Sequence, residues 1–135
     1  MTPTANCGCR VVTQETPAYG LVLQVVLAPG QSPDSWNHVR DVLEGEVERR
    51  RPQALLIDLQ ALDSLYGAPL IGALVAGAVA MRKLGPDRRA RIVAPAHIAG
   101  PLAKAIRLAK IEKLFGGRIY ADIESALRDQ DGVRG

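Results

Sequence analysis

The chain of 135 residues is long enough for one domain with a hydrophobic core and too short for two. Its 47% hydrophobic and 23% charged residues are ordinary for a globular protein, and its net charge of +3 is mild. The arginines cluster at positions 49–51 and at 88, 89 and 91 without interleaved aromatic residues. We therefore expect a solvated basic edge, rather than a surface for nucleic acid or anionic lipid.

The few cysteines and histidines restrict metal and redox chemistry. Cys7 and Cys9 are too close for an ordinary disulfide, and His38 and His97 are isolated from other ligand residues. We expect reduced thiols in a flexible tail over residues 1–9, a cytoplasmic location, and no metal or other cofactor. No pattern of a signal peptide precedes the domain.

The first part of the chain predicts a hairpin followed by a helix. Residues 10–15 (RVVTQE) and 21–27 (LVLQVVL) have strand composition and are separated by turn residues. Ser32 and Pro33 have the pattern of a helix cap and a first helical residue, and Pro52 ends that helix. The apolar residues at helical spacing are Trp36, Val39, Leu43 and Val47.

A strand–loop–helix segment over residues 54–83 forms the centre of the sequence. The apolar run 54–57 ends at Asp58 and predicts a strand that is buried on both faces. The nearly uncharged segment 65–81 predicts a buried helix, too short and too rich in glycine for membrane insertion, with Pro69 in its first turn. Loops at the carboxyl ends of strands in open α/β sheets often hold functional sites. We therefore place the candidate site in the turn over residues 58–68.

The rest of the chain continues the alternation of strands and helices. Residues 90–94 (ARIVA) predict a strand, residues 95–100 a loop, and Pro101 starts a helix through about residue 110. A short edge strand follows at 118–120, and Asp122 is placed to cap a last helix over 123–129. The order β-β-α-β-α-β-α-β-α predicts a single α/β domain over residues 10–129, a mixed sheet of four or five strands with packed helices, and a flexible tail at 130–135.

The sequence contains no pattern that indicates catalysis. It has neither a Walker-type loop, nor GxGxxG after a strand, nor a nucleophile elbow. Gly67, Gly72 and Gly77 are expected to allow close packing of the central helix on the sheet. Asp58 and Asp63 are the carboxylates near the central turn, and we expect one or both of them to cap backbone N–H groups of the loop and the helix start rather than to catalyse a reaction.

The order of elements and the central segment resemble the STAS domain family, which includes bacterial anti-sigma factor antagonists and modules of stressosomes and sulfate transporters. The resemblance covers about residues 10–129 and rests on a buried strand that ends in an acid, a short loop and the following helix. The segments ARIVA (90–94), IRLAKIEKLF (106–115) and IYADIESAL (119–127) match later parts of the family pattern at matching spacing. The resemblance implies a STAS-like α/β fold.

The family's central helix begins with Asp-Ser-Ser-Gly-Leu-Gly or a near variant, and a partner kinase that is itself the anti-sigma factor typically phosphorylates its serine. Counted without gaps from the strand, the motif's aspartate falls on Tyr66, its first serine on Gly67, its usual phosphoacceptor on Ala68 and its glycine on Pro69. Because alanine cannot accept phosphate, this alignment implies a module without the serine switch.

An alternative alignment deletes two residues from the loop and places Asp63 and Ser64 on the motif's Asp-Ser, so that Ser64 becomes the fallback phosphoacceptor. Either alignment implies a non-catalytic protein that binds an anti-sigma factor serine kinase, another STAS protein or a transporter assembly. The predicted partner-binding residues are Asp58, Leu62, Asp63, Ser64, Leu65, Tyr66, Gly67 and Ala68, beside the loop 94–100.

Two further alternatives follow from the same residues. Some STAS domains are associated with nucleotide or lipid ligands, so the same pair of loops would form a sensing pocket. A mixed sheet also has an exposed edge strand, which makes a homodimer an additional expectation.

Overall fold

The computed structural model describes residues 9–17, 20–29, 33–64, 67–116 and 118–128. In these ranges the strands are β1 (Cys9–Thr16), β2 (Gly20–Leu27), β3 (Ala54–Asp58), β4 (Arg89–Val93) and β5 (Ile119–Tyr120). The α-helices are α1 (Pro33–Arg50), α2 (Ala68–Leu84), α3 (Ala96–Leu108) and α4 (Ile123–Arg128), and a short 3-10 turn covers Glu112–Phe115. The predicted α/β architecture is confirmed.

The sheet has the order β1-β2-β3-β4-β5. β1 runs antiparallel to β2, and every other neighbouring pair is parallel. β3 lies in the middle, and all five of its residues are buried. A parallel strand covered on both faces requires a continuous apolar run, which is the pattern that predicted β3.

The two faces of the sheet are covered unequally. Helices α1, α2 and α3 pack on one face and form the main core, in which Leu23, Ile57 and Ile92 of three neighbouring strands are fully buried. On the other face α4 buries Ala126 against Leu56 and the strands beside it. The predicted apolar stripe of α1 lies in the main core, as expected.

The predicted loop over residues 95–100 is wrong, because most of this segment forms the first turns of α3. α3 begins at Ala96, so Pro101 lies inside the helix instead of starting it. The carbonyl of Pro95 accepts the backbone N–H of Ile98 at 3.0 Å, and the Ile98 side chain is buried in the main core. Gly100 has no Cβ to clash with the proline ring, which lowers the cost of continuing the helix into Pro101.

The three evenly spaced glycines have different roles. A Cβ added to Gly77 would lie 3.2 Å from Cδ2 of Leu55 and 3.4 Å from Cδ1 of Ile57, so α2 approaches β3 closely there. Gly72 faces open space, and Gly67 has φ of 81°. The expectation of close packing is therefore wrong for Gly72 and Gly67.

The second arginine cluster is not a uniform solvated edge, as the sequence had suggested. Arg91 is 7% exposed, and its Nη1 donates to the carbonyl of Ala126 at 3.5 Å beneath α4. Nη1 of Arg88 donates to the carbonyls of Arg51 and Pro52 at 3.2 and 3.0 Å. These contacts satisfy backbone acceptors at the end of α1, where the chain turns into β3.

β1 begins one residue earlier than predicted. Cys9 pairs with Leu27 in the hairpin, and its side chain is 6% exposed in the main core, so the expectation that it belongs to a tail is wrong. Cys7 lies outside the described residues, as do Ser32 and residues 129–135.

Candidate functional site

The candidate site lies at the carboxyl edge of the parallel strands. Asp58 and Val93 are register partners at the ends of β3 and β4, so the chain leaves both strands at the same edge. One loop leads into α2 and the other into α3. We call the exposed residues that follow these two strands the loop surface; they are Gln60, Ala61, Asp63, Ser64, Ala68, Pro69, Ala96 and His97.

Asp58 fixes the start of the first loop. Its side chain is 5% exposed, and its Oδ1 accepts the backbone N–H of Gln60 at 2.9 Å. Its Oδ2 accepts Nε2 of Gln24, on the neighbouring strand β2, also at 2.9 Å. The first contact is the local aspartate turn that the sequence predicted, and the second ties the turn to the sheet.

Two leucines and one glutamine hold the remainder of the turn. The backbone N–H of Leu59 donates to the carbonyl of Val93 at 2.7 Å, and that of Leu62 donates to the carbonyl of Leu59 at 3.1 Å. Both leucine side chains are buried in the main core. On the outer side, Nε2 of Gln60 donates to the carbonyl of Ala121 at 3.2 Å. The loop is therefore fixed from the core and from the segment after β5.

The start of α2 differs from the predicted start at residue 65. Gly67 precedes the helix with φ 81° and ψ −137°, a conformation that excludes it from the helix and disfavours residues with a Cβ. Ala68 is the first helical residue, and Pro69 lies in the first turn as predicted. α2 begins without a side-chain cap and without an acidic residue in its first turn. Its exposed start is therefore apolar and uncharged.

The structure divides the predicted partner-binding residues into three groups. Asp58 and Leu62 are buried, so in this conformation they support the loop and do not face a partner. Asp63, Ser64 and Ala68 are exposed, and Gly67 is half-buried. Leu65 and Tyr66 lie outside the described residues.

Sequence reasoning missed the residues that brace the loop. Gln24 becomes a partner of Asp58 only through the register of β2 and β3, which no local pattern reveals. The aspartate turn at Asp58 was predicted, but Gln60 was not named as its donor, although an aspartate commonly accepts the backbone N–H two residues further on. The contact of its side chain with Ala121 depends on the tertiary fold.

The end of β5 lies at the same edge of the sheet. Asp122 follows it and caps α4, because its Oδ1 accepts the backbone N–H of Ser125 at 2.7 Å, as the sequence predicted. This hydrogen bond, with a second from the Ser125 hydroxyl, lowers the pKa of Asp122. Within the described ranges, the structure groups no three His, Cys, Asp or Glu side chains in a way that could hold a metal ion.

Comparisons with known proteins identify the fold. No protein-family model and no curated protein matches the sequence. The crystal structure of an anti-sigma factor antagonist from Mycobacterium paratuberculosis matches 96% of this chain and 97% of its own, with a TM-score of 0.61 and 23% identity. The unphosphorylated form of the anti-sigma factor antagonist SpoIIAA matches 93% of this chain and 99% of its own, with a TM-score of 0.60 and 10% identity.

The chain has the STAS fold. Both matches extend over nearly the whole of each compared chain, so the fold includes the hairpin, the loop surface and the last helix. In the part of the chain that the structure describes, no helix has the length and hydropathy of a membrane span.

Proposed function

We propose that this chain is a non-catalytic regulator of bacterial transcription that acts in the cytoplasm like an anti-sigma factor antagonist. Its partner would be an anti-sigma factor serine kinase or another STAS protein. The STAS fold supports this proposal, and the observation that carries it is the exposed, uncharged start of α2 beside a firmly held loop. We assign partner docking to the loop surface together with Gly67.

The proposed docking does not depend on a phosphoserine. Ala68 occupies the exposed first position of α2 and has no hydroxyl group to modify. Ser64 is exposed but lies in the turn, four positions before the helix begins. A phosphate adds about −1.5 to −2 charges, which would disrupt a contact packed closely against the uncharged start of α2. Without it, the chain would bind its partner constitutively.

The test of the docking surface is Ala68→Asp. The new carboxylate suits the first turn of a helix, so the variant should fold normally. Its charge would be desolvated without a partner in the complex, and we expect its Kd for the host's anti-sigma kinase to rise at least about tenfold. Leu108→Asp is the matched control, because Leu108 is exposed at the far end of α3.

The affinities would be measured by isothermal titration calorimetry with each anti-sigma serine kinase that the host encodes. An Ala68→Asp variant that binds as tightly as the Leu108→Asp control would remove the loop surface from the proposal. Incubation with the same kinase and ATP, followed by intact-mass spectrometry, should leave the wild-type mass unchanged. A gain of one phosphate mapped to Ser64 would instead support a phosphorylated antagonist.

A second candidate function is the sensing of a nucleotide or a lipid. A groove of about 720 Å³ is large enough for such a ligand, with Val11, Val26 and Leu27 among its apolar lining residues and Arg49 and Arg50 among its polar ones. It lies beside β1, β2 and α1, and not between the two loops where the sequence predicted the pocket. A ligand present at about 100 times its Kd would stabilise the fold by about 2.7 kcal/mol, which a thermal-shift panel of nucleotides and lysophospholipids would detect.

The charges of that groove disfavour an anionic ligand. Glu46 accepts hydrogen bonds from Arg49 at 2.6 Å and from Arg50. Partial burial opposes the ionisation of Glu46, but these hydrogen bonds and charges outweigh it and lower the pKa of Glu46. A ligand phosphate would have to displace this carboxylate from both arginines.

A further inference from the structure

A strongly basic surface lies at the end of α3. The segment 104–118 carries five cations and one carboxylate, a net charge of +4, so the rest of the chain carries −1 of the total of +3. All six side chains are exposed, and we call them the basic patch; they are Lys104, Arg107, Lys110, Glu112, Lys113 and Arg118. Along α3, Arg107 lies about 15 Å from His97 of the loop surface, at 1.5 Å per residue. The two surfaces are therefore separate.

A small open cavity lies within the basic patch. It has a volume of about 160 Å³ and lies between the end of α3, the 3-10 turn and β5. Its lining includes three apolar and three charged side chains; they are Ile106, Phe115, Ile119, Arg107, Glu112 and Arg118. An apolar cavity of about 150 Å³ can hold a benzene molecule. This one therefore has room for one side chain of the size of leucine or phenylalanine.

The turn after α3 holds a lysine in a backbone conformation that favours glycine. Lys110 has φ of 61°. Its backbone N–H donates to the carbonyl of Arg107 at 3.0 Å, and that of Ile111 donates to the carbonyl of Ile106 at 3.2 Å. This pair of hydrogen bonds is the Schellman end of a helix, where glycine is usual because a Cβ is disfavoured. The turn itself therefore gives no reason for a lysine at this position.

Contacts within the described residues do not neutralise the basic patch. Four of its cations have side chains that take part in neither hydrogen bonds nor ion pairs there; they are Lys104, Arg107, Lys110 and Lys113. A cation in the last turn of a helix interacts favourably with the helix dipole, but Lys113 and Arg118 both follow the end of α3. The patch therefore presents its charge to an external anion.

The shape of the patch fits an acidic peptide better than a membrane surface. Ile106 and Phe115 are 5% and 3% exposed, so the apolar atoms lie at the floor of the cavity, below a charged rim. A side chain that projects from a peptide would reach this floor, whereas the surface of a bilayer would meet only the rim. An arginine such as Arg107 can form two parallel hydrogen bonds with one carboxylate of such a peptide.

We propose that the basic patch binds an acidic peptide segment of a partner protein. One apolar side chain of the peptide fills the cavity, and the carboxylates beside it pair with Arg107 and with the surrounding lysines. The charged rim makes this contact weaken as the salt concentration rises. The proposal does not depend on the function proposed above, because it uses the opposite end of α3.

Fluorescence anisotropy with labelled peptides tests the proposal. The probes carry a central leucine or phenylalanine between runs of glutamate, and the control peptides carry a central glycine. We expect a Kd below about 1 mM for the probes and a Kd at least about fivefold higher for the controls. Arg107→Glu should raise the Kd of the probes at least about tenfold, whereas Arg40→Glu should leave it within about twofold. Arg40 is the matched control because it is an exposed arginine on the distant helix α1.

Two further variants separate the cavity from the charge. Ala103 lies half-buried in the lining of the cavity, so Ala103→Leu should fill part of it and weaken binding severalfold without a change in charge. Lys110→Gly removes one cation together with the disfavoured φ. This variant should melt at the same or a higher temperature than the wild type and yet bind the probes severalfold more weakly. Melting curves establish that all four variants are folded.

Three results would overturn the proposal. In the first, no acidic peptide binds below about 1 mM. In the second, leucine and glycine peptides bind equally and Ala103→Leu has no effect, which would reduce the contact to a general attraction between charges. In the third, the chain sediments with vesicles of phosphatidylserine and phosphatidylcholine, loses this binding in Arg107→Glu and binds no peptide. The patch would then contact a lipid surface.

Discussion

Replacing Asp58 tests whether the loop surface depends on this buried carboxylate. Asp58→Ala removes the acceptor for the backbone N–H of Gln60 and for Nε2 of Gln24, both at 2.9 Å. A hydrogen bond to a charged group contributes about 1.5–3 kcal/mol, and a buried donor left unsatisfied adds a desolvation cost. We expect the free energy of unfolding to fall by about 2–4 kcal/mol. Asp58→Asn keeps one acceptor oxygen and should cost about half as much.

The assay is urea denaturation followed by circular dichroism. A lower midpoint with an unchanged m-value would show lost stability rather than an altered unfolded state. Gln24→Ala, alone and combined with Asp58→Ala, completes a double-mutant cycle, and we expect a coupling energy of at least about 0.5 kcal/mol. Because Asp58 is 5% exposed, folded Asp58→Asn should bind the partner with nearly wild-type affinity.

Two results would refute this reasoning. A cost below about 0.5 kcal/mol for Asp58→Ala, with no coupling to Gln24, would show that the carboxylate does not hold the loop. Unchanged stability of Asp58→Asn together with lost partner binding would make Asp58 a contact residue. The loop would then have to open on binding, as the burial of Asp58 and Leu62 otherwise prevents contact.

Three further predictions concern single contacts. Gly72 faces open space, so Gly72→Ala should raise the free energy of unfolding by up to about 1 kcal/mol. Gly77→Ala should lower the free energy of unfolding, because the new Cβ would lie 3.2 Å from Leu55 and crowd it. Equal effects of the two substitutions in urea denaturation would contradict this prediction. Gly67→Ala should cost about 1–3 kcal/mol through its φ of 81°, and a neutral result in the same assay would show that the turn adapts. The hydrogen bond from the backbone N–H of Ser125 lowers the pKa of Asp122, so the ionised carboxylate stabilises the folded chain. This stabilisation is complete at pH values above the ordinary carboxyl range near pH 4, and it is lost as the pH falls through the lower pKa of the folded state. Asp122→Ala should therefore destabilise the chain at pH 7, and its difference from the wild type should shrink in acid; a difference that is constant with pH would contradict the prediction.

The central elements were predictable because local chemistry and tertiary structure require the same residues there. A buried parallel strand needs an apolar run, so β3 follows closely from the sequence. Pro69 fits a helix only in its first turn and so indicates a start near Ala68, although the uncharged segment had suggested a start at residue 65. At α3 the local pattern conflicts with the tertiary structure. Pro101 resembles a first helical residue, but the burial of Ile98 and the carbonyl of Pro95 start the helix earlier.

The candidate site was predictable in position but not in detail. The rule that loops at carboxyl strand ends often hold function selected the turn after Asp58 as the candidate, and the structure places that turn at the carboxyl edge of the sheet. Whether a residue of this turn faces a partner depends on burial, and Leu62 is buried while Ser64 is exposed. Burial is decided by what packs over the loop from the rest of the fold. Arg91 was misjudged for the same reason, because α4 covers it from a distant part of the chain.

The start of α2 offers little to a phosphate. Anions bind at helix N-termini through free backbone N–H groups, and Pro69 removes one such donor from the first turn. Gly67 provides neither a hydroxyl nor a side-chain cap, and Ala68 leaves the first helical position without a hydroxyl. Replacing Ala68 by serine would supply an acceptor for a kinase without restoring the missing donor. Gly67, Ala68 and Pro69 therefore give this helix start neither a hydroxyl group to modify nor a full set of backbone donors for an anion.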